Sequence, residues 1–135
     1  MNVKKLIRKI RLRVCGCKLV VVAVQDNHVL VRDQNKNVGC LEGDLSSEVM
    51  CVGTVVWALP GKEKSVAAAN HGSYKNKDCV ARLIYYDELR QVWIASLKYD
   101  GSLLFFDSKK GRFSCRDMVV LDYTGKNASL SCYTV

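Results

Sequence analysis

The sequence predicts an all-β protein of short antiparallel strands, and three observations carry that expectation. Asp100-Gly101 stands between the apolar runs Val92–Leu97 and Leu103–Asp107, the pattern of a tight hairpin, because glycine accepts the positive φ such a turn requires. Both faces of that hairpin are apolar. Val92 and Ile94 point one way, and Trp93, Ala95 and Leu97 the other; Leu103 and Phe105 oppose Leu104 and Phe106. Protein is therefore expected above and below it, since a ribbon with one wet face would alternate. Finally, short apolar runs punctuated by Gly, Asp or Asn recur along the chain, and helical spacing shows only near the start.

In chain order, residues 1–14 form a basic arm. Lys4, Lys5, Arg8, Lys9, Arg11 and Arg13 nearly account for the formal charge of +8. Val3, Leu6, Ile7 and Ile10 suit a short amphipathic helix, while Ile10, Leu12 and Val14 alternate with cations as a strand would, so the second half is read as extended. The charges are read as a solvated face or as an anchor for phosphate or acidic lipid. A single all-β domain is expected over 15–123. Leu19–Val24 is a strand, Asp26-Asn27 the turn, His28–Asp33 the returning strand, and Val38–Leu41 a third strand beyond the loop 34–37. Met50–Leu59 reads as one strand bent at Gly53 or as two short ones. Pro60-Gly61-Lys62 is a turn, Ser65–Ala69 a strand or a helical turn, and Asn70–Asp78 the longest polar loop. Val80–Tyr86 alternates as a strand, and Asp87–Arg90 turns into the central hairpin. Lys109-Lys110-Gly111 turns into Arg112–Cys115, Met118–Tyr123 is the last strand, and 124–135 is a polar C-terminal tail.

Composition narrows the classes. The 135 residues are 49% hydrophobic and 25% charged, which suits one globular domain with a real core. No run reaches the roughly 18 apolar residues of a membrane-spanning helix. The basic stretch before Leu19–Val24 is too long for a secretory leader, and Lys18 interrupts the apolar part. Without secretion the sequon Asn127-Ala128-Ser129 is a chance match. The seven cysteines are odd in number and scattered, which argues for free thiols and an intracellular setting, cytoplasmic or nuclear. Cys15-Gly16-Cys17 could be half a zinc site but has no second close pair, so neither metal nor cofactor is expected.

Internal repetition adds a resemblance. Val20–Asp33 followed by Val38–Leu41, and Val92–Asp107 followed by Arg112–Cys115, both read as apolar strand, Asp-Asn or Asp-Gly turn, apolar strand closing on Asp, polar loop, third strand. Val49–Val66 reads as a degenerate middle copy. These stretches resemble the blades of WD-repeat or quinoprotein-type β-propellers. The family's Gly-His dipeptide is missing, and Arg32-Asp33 and Phe106-Asp107 stand where Trp-Asp would. The resemblance implies that Asp33 and Asp107 organise turns by hydrogen bonding. Three copies cannot close a ring of roughly four to eight blades. The expected architecture is thus stacked propeller-like sheets, belonging to a larger propeller or completed by other chains, or alternatively a small SH3-like or Tudor-like barrel.

Catalysis is not expected. His28 lies in a strand and His71 in a polar loop, and a Cys79–His71 pair lacks an orienting third group. There is no phosphate-cradling loop or dinucleotide fingerprint. Binding remains. One reading is a non-enzymatic protein-interaction scaffold that presents the 70–78 loop, with His71, Tyr74, Lys75 and Lys77, to a protein partner. The other is a nucleic-acid-binding β-barrel whose basic arm rests on phosphate, an interaction that would weaken steeply with salt.

Overall fold

Asp26 and Asn27 both take positive φ, 51° and 65°, as a two-residue hairpin turn requires, and Gly101 does the same at 75°. Around such turns a computed structural model, describing residues 2–4, 6–7, 15–43, 50–73 and 79–135, forms nine strands. They are β1 (Cys17–Gln25), β2 (His28–Arg32), β3 (Val38–Glu42), β4 (Val55–Pro60), β5 (Lys64–His71), β6 (Val80–Asp87), β7 (Val92–Leu97), β8 (Leu103–Asp107) and β9 (Met118–Thr134). The all-β class is as the sequence predicts. The second half of the basic arm, with Arg8, Lys9, Arg11 and Arg13, lies outside the described residues, as do Lys5, Tyr74, Lys75 and Lys77.

The chain divides into two compact units where one domain was expected. In the first, β2 pairs antiparallel with β3, β1 lies beside β2, and β4 pairs antiparallel with β1. The end of β9 completes the circuit: it runs parallel to β3, with Gly39 opposite Ser131 and Leu41 opposite Tyr133, and antiparallel to β4. In the second unit β6, β7 and β8 pair antiparallel in succession. The front of β9 pairs with β6, and β5 lies parallel to β8 and antiparallel to β9. Each unit is thus a closed five-stranded barrel, the barrel form of the expectation. Both have the same order: three antiparallel strands, a fourth set on the first, and a fifth parallel to the third. The fifth strands are traded. The run β1–β4 continues into β5, which belongs to the second barrel, and the front of β9 continues into residues that belong to the first.

Every strand sends side chains into its barrel. Leu19, Val21, Val29, Val31, Leu41, Val56, Ala58 and Tyr133 fill the first. Ala69, Leu83, Trp93, Leu97, Leu104, Phe106 and Leu121 lead in the second, where Tyr86 meets Trp93 edge to face at 5.2 Å. The β7–β8 hairpin is buried on both sides: Trp93, Leu104 and Phe106 point inward, while Ile94, Leu103 and Phe105 on the outer face are no more than 4% exposed.

Two expectations are corrected and one open choice is settled. The polar stretch from 124 is not a tail, because β9 runs to Thr134. Its side chains from Asp122 to Ser129 are exposed, so no alternation marks it, and the backbone pairs with β5 instead. Arg112–Cys115 is not a strand: a 3₁₀ turn spans Lys110–Arg112, and Phe113 packs against the second barrel's core. Ser65–Ala69 resolves as strand, within β5.

Candidate functional site

Two open grooves of about 890 and 830 Å³ lie on the second barrel and meet at Asn70 and Asp107, which line both. The first runs over the outer face of β5, β7 and β8 and is lined by Arg90 together with Thr124, Lys126 and Ser129 of β9. Its floor is Phe105, which points outward because its neighbours Leu104 and Phe106 point in. The second groove lies at the end of β5 and β8 and is lined by His71, Phe106, Phe113, Lys109 and Arg112.

Arg90 is held from several sides. Its Nη1 donates to the Ser129 carbonyl at 3.0 Å, its Nε lies 3.7 Å from Asp87 Oδ2, and its guanidinium lies over the Phe105 ring at 5.4 Å. Asp87 is 1% exposed, and its Oδ1 accepts the backbone N–H groups of Leu89 and Arg90 at 3.1 and 3.4 Å. One buried carboxylate therefore both builds the β6–β7 turn and orients the cation above the groove floor.

Aromatic rings cluster in the second groove. Phe106 and Phe113 meet edge to face at 5.3 Å, and the His71 ring lies 5.9 Å from Phe113 and 6.4 Å from Phe106. Arg112 stands over Phe113 at 5.9 Å. Beside this groove Lys110 is paired with Glu88, which holds the Lys110 ammonium above its usual range. The combined channel thus carries Arg90, Lys109, Arg112 and Lys126 against the single carboxylate Asp107.

Of the binding residues read from sequence, His71 lies in this channel. Lys4 is exposed in a helical turn at the start of the chain. Asp33 organises its loop: Oδ1 accepts from Asn35 N and Asn37 N at 2.8 and 2.9 Å, and Oδ2 accepts from Tyr133 O–H at 3.3 Å. Asp107 ends β8, exposed, in the channel lining. Sequence reading missed Arg90, Lys109, Arg112, Phe113 and Lys126. A signal existed in Arg112-Phe113, a cation beside an aromatic after a lysine pair, but it was absorbed into an expected strand.

Among the described residues no cluster of three His, Cys, Asp or Glu side chains is arranged to hold a metal ion, and no helix is long and apolar enough to cross a membrane. Compared with known proteins, the chain has no match among protein-family models, curated proteins or solved structures.

Proposed function

We propose that the protein binds single-stranded nucleic acid along the channel of the second barrel. The observation that carries this reading is the joining of four cations to exposed and half-buried ring faces over one continuous surface, with one carboxylate in the lining. Single strands present a regular row of phosphates and flat, unpaired bases. Cations along a groove follow the first, and aromatic faces stack the second, with little dependence on sequence. Small five-stranded barrels are known to bind oligonucleotides across the face of their second and third strands, and the first groove lies over β7 and β8, the second and third of the run β6-β7-β8.

Fluorescence anisotropy with a labelled oligonucleotide at several salt concentrations tests this. With Arg90 already neutralised by Asp87, the phosphates met by Lys109, Arg112 and Lys126 give a slope of log affinity against log salt of about −2 for a single strand. Phe113→Ala weakens binding by about 1–3 kcal/mol through one lost stack. Arg112→Ala flattens the slope by about 0.7. Unchanged affinity and slope in both variants would refute the channel as the site.

The second reading, a protein-interaction scaffold, draws on the first barrel. Val55 and Trp57 on the outer face of β4 are 51% and 48% exposed, across from Val20 and Lys18 of β1. Absence of oligonucleotide binding at low salt would leave this as the better account.

A further inference from the structure

The start of the chain carries a surface that the channel does not use. Asn2 caps a turn of helix: its Oδ1 accepts from Lys4 N at 3.0 Å, and its carbonyl accepts from Leu6 N at 3.2 Å. Val3, Leu6 and Ile7 fall at i, i+3 and i+4, one face of a helix, and are 67%, 43% and 59% exposed. Three branched apolar side chains on one short turn gain nothing from water, and so short a helix has little stability of its own. The sequence continues the spacing at Ile10 and surrounds it with Lys4, Lys5, Arg8, Lys9, Arg11 and Arg13, with no acidic residue before Asp26.

We propose that this segment is an interfacial anchor that lays Val3, Leu6 and Ile7 into the surface of a bilayer rich in anionic lipid. Charge complementarity selects the partner. Six cations without an intervening carboxylate match a diffuse negative surface rather than a mixed protein one. The apolar stripe separates lipid from nucleic acid, because a phosphodiester backbone offers no apolar medium for branched side chains, whereas the boundary between headgroups and acyl chains does. The anchor and the channel lining have no residue in common, so a bound surface and a bound strand use different residues.

Co-sedimentation of the full chain with vesicles tests the proposal. Binding is expected to vesicles of phosphatidylcholine containing phosphatidylserine and to be far weaker to phosphatidylcholine alone. Ile7→Asp, at an exposed position, should weaken binding at least tenfold by removing one inserted side chain and adding repulsion. Lys4→Ala should weaken it about fivefold. Phe113→Ala, in the channel, should leave it unchanged. Equal binding to both vesicle types, wild-type binding by Ile7→Asp, or no binding at low salt would each overturn the proposal. So would displacement from vesicles by an oligonucleotide that Phe113→Ala fails to prevent, since the arm would then serve nucleic acid.

Discussion

Replacing Gly39 by alanine probes the closure of the first barrel directly. A Cβ at this position would lie 2.5 Å from the Ser131 carbonyl oxygen and 2.8 Å from Cε2 of Tyr133. The oxygen is backbone and cannot swing aside, and Ser131 is the residue paired with Gly39 where β3 runs parallel to β9. Relief requires the two strands to part, which loosens Cys40 against Cys132 and Leu41 against Tyr133. Overpacking of this kind costs about 1–3 kcal/mol, offset by about 0.4–1 kcal/mol from the stiffer unfolded chain. With a backbone atom and a ring both obstructed, a net loss of about 2 kcal/mol is expected. Gly72→Ala is the internal control. The three atoms nearest its Cβ would all belong to the Asp122 carboxylate, at 2.6 to 2.8 Å, and that end of the side chain can rotate away, so a loss below about 1 kcal/mol is expected. Urea unfolding followed by tryptophan fluorescence and far-ultraviolet circular dichroism gives both values, with an unchanged m expected. A Gly39→Ala protein no less stable than Gly72→Ala would mean that β3 and β9 do not approach as described.

Two further outcomes follow from burial. The Tyr133 phenol is pushed up to about 12, first by burial, then by the negative charge and hydrogen bond of Asp33. An unfolded tyrosine titrates near ~10, so the unfolded chain loses this proton first: the stabilisation is whole below ~10 and is lost as pH rises toward the folded value. The urea midpoint should therefore fall over that range, and Tyr133→Phe should remove part of the fall; identical alkaline profiles would contradict the assignment. Ile94→Ala tests the covered outer face of the β7–β8 hairpin. Ile94 is 0% exposed, so its truncation should cost about 2–5 kcal/mol by urea unfolding, as at an interior position, whereas a loss under about 1 kcal/mol would place it on a wet face.

Local features were legible in the sequence and long-range ones were not. The hairpin at Asp100-Gly101, its two buried faces, and the β1–β2 turn at Asp26-Asn27 depend on neighbouring residues, and the pattern of apolar side chains and turn formers specified them. The pairing of β3 with β9 depends on residues as far apart in the chain as Gly39 and Ser131 and leaves no mark in either. The repeat shows this most clearly. In sequence the hairpin β7–β8 looks like β1–β2, whereas in the fold β6-β7-β8 holds the place of β1-β2-β3, a shift of one strand that resembling hairpins cannot reveal. The channel stayed hidden for the same reason. His71, Arg90, Phe113 and Lys126 come from four separate stretches, and only the closing of the barrel gathers them. Asp33 was singled out only through the resemblance of its strand end to a propeller blade, and the partners it organises, Asn35 and Asn37, lie beside it in sequence.

The traded fifth strands have a consequence for synthesis. As the nascent chain leaves the ribosome, β1 to β4 emerge early, yet Ser131 to Thr134, which bridge β3 and β4, emerge only after the whole second barrel has been made. Until then β3 and β4 present open edges, the kind of surface that recruits strands from neighbouring molecules. Translation speed and chaperone occupancy over this interval should govern the yield of native protein more than the stability of the finished molecule does.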